Sequence, residues 1–370
     1  MQQHYCTTPS TTNVDVFSIE AYDYALPETL IAKYPLPERS ASKMMHINRS
    51  TQQWEHKCFT QLVDWLQPQD LLILNNTKVL NARMFGNRRG FEGKVEVLLL
   101  HPTGDNTDTH TLLWNCLLKP IKKLKEGTLI ELPNTTSVLE IIERQGLGHG
   151  VVKAHLYGGE SSVYELMNKV GELPIPPYFE RRAEAVDTER YQTVYSKVEG
   201  SQAAPTAGLH FTPEVLTAIK AKGVGIAEVT LSVGAGTFRP VQSDDIREHP
   251  MHAESYHLPQ STVQAIQHTK AQGGRVVAVG TTSVKTLETA AQKQGGTLQQ
   301  ADTGWSELFI YPGFNFQVVD AMLTNFHLPK STLMMLVSAF ANRTLMLNAY
   351  EEAVAQQYRF YSYGDCMLIE

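Results

Sequence analysis

The chain has 370 residues, 19% of them charged, and a formal net charge of −6 at pH 7. Its length exceeds that of one typical domain, so we expect two. The acidic balance excludes binding to nucleic acid by global charge alone, and any such contact must depend on a local basic patch.

Residues 1–16 contain neither Lys nor Arg and no apolar run. We therefore expect a loose tail here and no signal peptide. The four cysteines are far apart and form no Cys-x-x-Cys pair, which predicts a reducing, cytoplasmic compartment. The most apolar stretch, residues 333–341, is too short to cross a bilayer, so we expect no membrane partner.

Short helices and strands alternate up to residue 82. We predict a helix over residues 24–33, a strand over 44–47, an amphipathic helix over 59–66 and a buried strand over 70–75. Asn75, Thr77 and Lys78 lie where that buried strand ends, a position typical of ligand loops. An ordinary polar turn is the alternative interpretation.

Between residues 83 and 157 the helical period disappears and short alternating strands follow one another. The predicted strands cover residues 94–100, 112–118, 129–132, 137–142 and 151–156. This pattern predicts a small β-barrel inserted into a mixed α/β core formed by residues 17–82 and 158–370. A basic run with Lys122 and Lys123 is either a solvated face, the commoner use, or a contact with phosphates.

Helical signals return after residue 157. We predict a helix over residues 163–170, followed by a proline-stiffened arm over 173–182 that carries Arg181. Tyr191 and Tyr195 come next. Tyrosines can stack on nucleic-acid bases, although core packing is their commoner use.

The densest motif covers residues 205–211, where Pro and Gly predict a shaped loop that contains His210. Thr212 can cap a following helix, Pro213 suits its first position, and Gly223 is its natural end. His210 is therefore expected beside free amide groups at a helix start, which favour an anion. A histidine that merely fills a groove is the alternative.

Residues 226–233 alternate apolar and polar side chains, as in a half-buried strand. Gly234 and Gly236 follow, and glycines at a strand end let a ligand approach the backbone. Thr237 and Arg239 come next, and Arg239 offers a planar cationic group. We expect this turn to bind a ligand.

His249, His252 and Glu254 lie close enough in sequence to suggest a metal site. Their spacing differs from that of a zinc-binding helix, and the neighbouring sequence supplies no further ligands. We therefore expect acid–base or hydrogen-bond use of His252, and no metal.

Residues 274–280 form a predicted buried strand that ends in a glycine, and Thr281, Thr282 and Ser283 open the helix that follows. Free amide groups at such a helix start can hold a carboxylate or a phosphate. The motif is neither Gly-x-Gly-x-x-Gly nor a P-loop, so it indicates no nucleotide class.

The last part of the chain contains a second His-bearing loop. Strands are predicted over residues 308–311 and 318–322, and a last helix over 349–356. His327 precedes a helix that Ser331 can cap. Asp365 lies in an aromatic segment, where a catalytic and a structural use are both open.

Taken together, these motifs resemble the S-adenosylmethionine:tRNA ribosyltransferase-isomerase family of queuosine biosynthesis. The matching segments are residues 30–35, 191–195, 204–212, 233–241, 251–252, 279–284, 309–313, 324–332 and 361–365. Three positions depart from the family pattern. Asn76 replaces an Asp, which removes a carboxylate base, and Lys78 replaces an Arg in the same motif. Lys285 also replaces an Arg, which keeps the charge but loses the bidentate geometry.

The resemblance implies a mixed α/β layered core with an inserted β-barrel. It also implies an enzyme that uses S-adenosylmethionine as a substrate and takes its ribosyl group. The implied acceptor is 7-aminomethyl-7-deazaguanine at the wobble position of tRNA, and the products are epoxyqueuosine-tRNA, adenine and methionine. We expect a monomer.

This chemistry requires a proton carrier and contacts for anionic groups. We predict that His210 or His252 transfers protons, with His327 and Asp365 as second candidates. The predicted contacts of S-adenosylmethionine are Gly234, Gly236, Thr237, Arg239, Thr281, Thr282 and Ser283. The predicted contacts of tRNA are Asn75, Thr77, Lys78, Lys122, Lys123 and Arg181.

Two alternatives belong to other functional classes. A non-catalytic tRNA-binding protein would use the barrel and the basic run, but it would not need several His, Gly and Thr loops at strand ends. An S-adenosylmethionine-dependent methyltransferase is disfavoured because no Gly-rich turn follows an early strand. Release of free adenine distinguishes the ribosyltransferase from both.

Overall fold

The computed structural model describes residues 15–104, 112–234, 236, 241 and 243–370. Thr237 and Arg239, two predicted contacts of S-adenosylmethionine, lie outside the described residues, as do residues 1–14 of the predicted tail.

The strands of the described residues fall into one large sheet, one barrel and one short pair. In chain order they are β1 (Lys43–Asn48), β2 (Gln53–Cys58), β3 (Leu71–Asn75), β4 (Thr77–Val79), β5 (Arg83–Arg88), β6 (Lys94–Pro102), β7 (Leu113–Lys119), β8 (Leu129–Glu131), β9 (Val138–Arg144), β10 (His149–His155), β11 (Val198–Ser201), β12 (Gly225–Leu231), β13 (Glu254–Leu258), β14 (Val276–Val279), β15 (Asp302–Ser306), β16 (Ala321–Asn325) and β17 (Cys366–Ile369).

The α-helices are α1 (Leu62–Trp65), α2 (Val163–Val170), α3 (Ala185–Arg190), α4 (Pro213–Ala221), α5 (Gln260–Ala271), α6 (Thr281–Lys293), α7 (Thr332–Phe340) and α8 (Arg343–Ala355). Two of them begin at the predicted caps. The Thr212 hydroxyl accepts a hydrogen bond from the N–H of Val215, and the Ser331 hydroxyl accepts one from the N–H of Met334.

The large sheet has nine strands in the order β15-β13-β12-β3-β14-β16-β17-β1-β2. Strands β12, β3, β14 and β16 run parallel, and the strands at both edges are antiparallel to their neighbours. Successive residues of a strand face opposite sides, and here both sides are buried. Leu72 and Val277 pack with α1 and α4, whereas Ile73 and Ala278 pack on the side of α5 to α8.

Strands β5 to β10 close into a six-stranded barrel, in the order β10-β7-β6-β5-β8-β9. Its interior is a separate apolar core that includes Trp114 and Ile130, and α2 packs against it through Leu166. The fold class is therefore confirmed as a mixed α/β core with a small β-barrel. The assignment of residues 83–157 as a domain distinct from residues 17–82 and 158–370 stays a prediction.

Three predicted elements are wrong. Residues 308–311 form no strand, and β15 lies just before them in a polar, alternately exposed segment. Within residues 24–33 only Glu28–Leu30 is helical, as a single 3-10 turn, because the flanking chain is extended and Ile31 bridges to Phe360. The polar segment after β3 is not an open loop, because β4 pairs with β11 in parallel.

Among the described residues, none of the helices combines the length and apolar character that crossing a bilayer requires.

Candidate active site

An open cleft lies at the end of the parallel strands β14 and β16. Gly280 and Thr281 follow β14, and Phe326 and His327 follow β16. The cleft is closed on other sides by residues 203–207 and by Ser362. Ligands of α/β sheets bind at the carboxyl ends of parallel strands, so the topology places this cleft where a substrate is expected.

The start of α6 forms one wall of the cleft. Gly280 adopts φ +82°, a conformation that favours glycine, and turns the chain from β14 directly into the helix. Thr281 and Thr282 line the cleft, and the buried Oγ1 of Thr282 has no hydrogen-bond partner among the described residues. Ser283 has a different role, because its hydroxyl donates to the Val279 carbonyl oxygen at 2.8 Å and fastens the helix to its strand.

A second open cavity also borders the start of α6. Thr281, Thr282 and Leu333 line both cavities, so the two adjoin at the first turn of α6 and we treat them as two parts of one site. His252 and Lys285 line the second part.

A buried ion pair holds the glycine turn against α6. Lys285 Nζ lies 2.9 Å from Glu254 Oε2, and the two side chains are only 10% and 11% exposed. The other oxygen of Glu254 accepts a hydrogen bond from the Gly234 N–H at 3.1 Å. Lys285, the position that departs from the family pattern, therefore still anchors this turn through its charge.

Gly236 packs directly against the imidazole of His252. A Cβ atom at Gly236 would lie 2.3 Å from Cδ2 of His252, so a larger residue here would displace the ring. His252 is exposed to the second cavity. Gly234 thus contacts Glu254 through its backbone and Gly236 contacts the ring of His252, while their role as ligand contacts stays a prediction.

His327 is buried in the first part of the cleft. Its Nε2 lies 3.0 Å from the hydroxyl of Thr324, and its backbone N–H donates to the hydroxyl of Tyr350. Burial lowers the pKa of His327 to about 3, so the ring is neutral at pH 7. It can offer hydrogen bonds to a substrate but carries no charge.

His210 lies behind the cleft rather than in it. Its Nε2 contacts Asn325 Oδ1 at 3.1 Å, and its Nδ1 contacts the Ser42 hydroxyl at 2.9 Å. Asn325 Nδ2 donates to the Tyr361 carbonyl oxygen, so the Asn325 oxygen must accept and Nε2 of His210 carries the proton. Burial, aided by the charges of two nearby arginines, lowers the pKa of His210 to about 4.

Both carboxylate oxygens of Asp365 accept hydrogen bonds from backbone N–H groups. Oδ1 accepts from the N–H of Lys43 and Oδ2 from the N–H of Arg359, each at 2.8 Å. Burial raises the pKa of Asp365. It lines neither part of the site. Its arrangement ties the segment before β17 to the start of β1, and a catalytic role stays a prediction.

The residues after β3 point their polar atoms inward. The Asn75 side chain bonds the backbone N–H and C=O of Leu231, and Thr77 Oγ1 lies 2.7 Å from the Ser201 hydroxyl. Lys78 pairs with Glu199 at 3.0 Å on the outside. None of the three lines the cleft.

The other predicted tRNA contacts lie apart from the cleft. Lys122 and Lys123 are exposed on a 3-10 turn of the barrel. Arg181 is held in a bidentate pair by the buried Asp187, at 2.6 and 2.9 Å. A tRNA role for these three residues stays a prediction.

Two residues of the site have roles that the sequence did not suggest. In the sequence, Glu254 suggests only a possible metal ligand, and Asn325 suggests no role of its own. Both lie inside or beside the motifs that carry the family resemblance, and that position is the signal by which the sequence could indicate them. In the part of the chain that the structure describes, no group of three or more His, Cys, Asp or Glu side chains is arranged to hold a metal.

Comparison with known proteins agrees with this architecture. The family model described as queuosine biosynthesis protein matches residues 19–369. Proteins named S-adenosylmethionine:tRNA ribosyltransferase-isomerase from Natranaerobius thermophilus and Trichlorobacter lovleyi are each 47% identical, covering 95% of this chain and 99% of their own.

A crystal structure of S-adenosylmethionine tRNA ribosyltransferase from Thermotoga maritima is 36% identical and superposes with a TM-score of 0.54. That similarity covers 95% of this chain and 100% of the other. The extent of these matches and the shared architecture show that the chain belongs to the queuosine biosynthesis family.

Proposed function

We propose that this chain transfers and isomerises the ribosyl group of S-adenosylmethionine onto 7-aminomethyl-7-deazaguanine at the wobble position of tRNA. The products are epoxyqueuosine-tRNA, adenine and methionine. The observation that carries the proposal is the match of 47% identity over 95% of this chain to relatives named for this activity.

The start of α6 is suited to the carboxylate of the methionine part of the substrate. A helix start presents free N–H groups and a positive dipole end, which favour an anion. The Thr282 hydroxyl, buried without a partner, adds a donor at the same place. An unpaired buried hydroxyl costs stability, and a ligand that accepts its hydrogen bond removes that cost.

His252 is the best-placed proton carrier. Its ring is exposed to the site and packs against Gly236, whereas His210 and His327 are buried and have lowered pKa values. The sulfonium charge acidifies the adjacent carbon, so a base near it is needed, and histidine serves near neutral pH. His327 is assigned a hydrogen-bonding role within the cleft.

The partner in this proposal is tRNA that already carries the modified base, and the chain acts on it as a monomer in the cytoplasm. Multi-angle light scattering of the protein at assay concentration checks the monomer. A dimer peak would contradict that part of the proposal and leave the reaction unaffected.

The deciding experiment incubates the protein with S-adenosylmethionine and tRNA carrying 7-aminomethyl-7-deazaguanine, and separates the products by chromatography. Adenine and methionine are expected in equal amounts and only with the modified tRNA. S-adenosylhomocysteine would indicate methyl transfer instead. Replacement of His252 with Ala should lower turnover by roughly 10²–10⁴-fold if it is the base. Near-wild-type turnover of that variant would reject the role.

A further inference from the structure

A small, open, arginine-lined pocket lies next to the cleft. We call it the arginine pocket, and it is lined by Arg39, Arg190, Ser42 and His210, among others. Ser362 lines both the arginine pocket and the cleft, so the two adjoin at this residue.

The two guanidinium groups are held by backbone carbonyl oxygens alone. Arg39 donates to the carbonyl oxygens of Glu189 at 2.6 Å and Leu209 at 3.3 Å. Arg190 donates to those of Leu36 at 2.7 Å and Pro37 at 3.0 Å. No carboxylate of the described residues lies within the 4.0 Å ion-pair distance of either group. Backbone contacts therefore fix the geometry of both cations. The acidic residues nearby, Glu38 and Glu189, form no close ion pair with either.

Unused donors accompany these charges. Nε of Arg190 is buried and has no partner among the described residues, and the same holds for Nη1 of the neighbouring Arg359. Arg39 and Arg190 lie close together, since Nη1 of Arg39 also contacts the Arg190 carbonyl oxygen at 3.4 Å. Burial and the charge of Arg190 lower the pKa of Arg39, whereas the charge of Glu189 raises it. Glu38 is the acidic residue that lines this pocket, and it is exposed.

An anion would complete this arrangement. A guanidinium stays charged at every physiological pH, and like charges near each other repel. Its planar donors match the oxygens of a phosphate, and arginine is common where phosphates are recognised. Neutral side chains could also donate hydrogen bonds to these backbone carbonyl oxygens. Holding the chain segments together therefore does not by itself explain why arginines without an ion-pair partner occur here.

We propose that the arginine pocket binds a backbone phosphate of the tRNA and thereby positions the nucleotide that enters the cleft. This inference rests on the proposed function, which supplies the RNA. A phosphate bound in the arginine pocket, next to the cleft, would hold the RNA backbone beside the reacting base without touching the reacting atoms. Arg39 and Arg190 are thus positioning residues.

The test measures the affinity of tRNA carrying 7-aminomethyl-7-deazaguanine by filter binding at several salt concentrations, for the wild type and for Arg39→Gln and Arg190→Gln. Each variant should bind tRNA roughly tenfold more weakly, and its salt slope should fall by about 0.7 for the lost phosphate contact. S-adenosylmethionine affinity, measured by calorimetry, should be unchanged. Unchanged tRNA affinity and slope would overturn the proposal, as would a loss confined to S-adenosylmethionine, because the anion would then be its carboxylate.

Arg49→Gln is the matched control. Arg49 also donates to two carbonyl oxygens, those of Phe340 and Asp320, and its Nε is also buried without a partner, but it does not line the pocket. This variant should share any folding cost and keep the tRNA affinity. Equal weakening in the control would overturn the proposal.

A variant expected to bind tRNA more tightly keeps the proposal testable even if the arginine variants misfold. Glu38 makes no side-chain hydrogen bond to its own helical turn, so Glu38→Gln should fold normally and bind tRNA a few-fold more tightly. Weaker or equal binding would contradict the proposal. If the wild type binds tRNA in this salt-dependent way but releases no adenine, the proposed function fails while the pocket assignment stands.

Discussion

Replacement of Gly236 with Ala should displace His252 within the site. The new Cβ would lie 2.3 Å from Cδ2 of His252, whereas non-bonded carbon atoms rest at about 3.5–4.0 Å. The ring must therefore withdraw by roughly 1.2 Å or more. Because His252 is exposed, it can move at little cost in stability. A displacement of about 1 Å of a reacting group typically lowers the rate roughly 100-fold.

The assay is adenine release under single-turnover conditions, with a melting curve for each variant. Gly234→Ala is the matched control, because its Cβ would come no closer than 4.0 Å to any atom outside its immediate neighbours. It should keep both rate and melting temperature. The Gly236→Ala variant should lose rate and keep its melting temperature.

A double variant isolates the cause. If Gly236→Ala acts only through the ring, then adding it to His252→Ala should lower the rate no further. An additional loss in the double variant, or an equal loss in Gly234→Ala, would refute the reasoning that Gly236 positions His252.

Three further predictions concern buried polar groups. Thr282→Val should weaken S-adenosylmethionine binding roughly tenfold without destabilising the fold, since the Thr282 hydroxyl has no partner to lose. Ser283→Ala should cost about 1 kcal/mol of stability and keep the affinity for S-adenosylmethionine, because it removes the hydrogen bond to Val279. Calorimetry measures the affinity of each variant, and denaturant unfolding measures its stability. The free energy of unfolding should fall as the pH drops below 6.5, by about 1.4 kcal/mol per pH unit for each of His210 and His327. In the unfolded chain both rings bind a proton near pH 6.5. In the folded chain His210 stays neutral down to about pH 4 and His327 down to about pH 3. Urea titrations at pH 6.5 and 5.0 check this, and a flat profile in that interval would contradict it. Asp365→Asn should cost roughly 1–3 kcal/mol of stability, because the new amide N–H₂ faces a backbone N–H that the carboxylate oxygen now accepts. Single-turnover rates should stay near wild type. A large rate loss with intact folding would show that Asp365 is catalytic.

Local signals in the sequence were sufficient for several elements. Thr212 and Ser331 were recognised as caps because a hydroxyl before a helix has a specific local partner. The Gly280 turn into α6 was recognised from an apolar strand followed by glycine and threonines. The barrel followed from short alternating strands, because period-two alternation depends on neighbours in sequence alone.

Elements whose stability comes from distant partners were missed. β2 has no fully buried residue, so its composition resembles that of a loop, and it is ordered by pairing with β1. β15 is similarly polar and is ordered by β13. Conversely, residues 308–311 are apolar because they pack against the core, although they form no strand.

The candidate site shows the same division. The motifs identify the loops that meet at the cleft, but the sequence alone does not show which of their histidines reach it. His210 and His252 are both plausible bases in sequence, and only packing shows that one is buried behind Asn325 and the other faces the second cavity. The arginine pocket joins residues far apart in the chain, whose proximity has no local signal.

The position of β17 has a consequence for biosynthesis. This strand lies inside the large sheet, between β16 and β1, although it is made after every other strand of that sheet. Until residues 366–369 have left the ribosome, the β1–β2 hairpin has no neighbour on its inner side, and an unpaired strand edge can associate with other chains. The nascent protein must therefore keep this hairpin from aggregating throughout most of its synthesis, and a chaperone bound there would shield it.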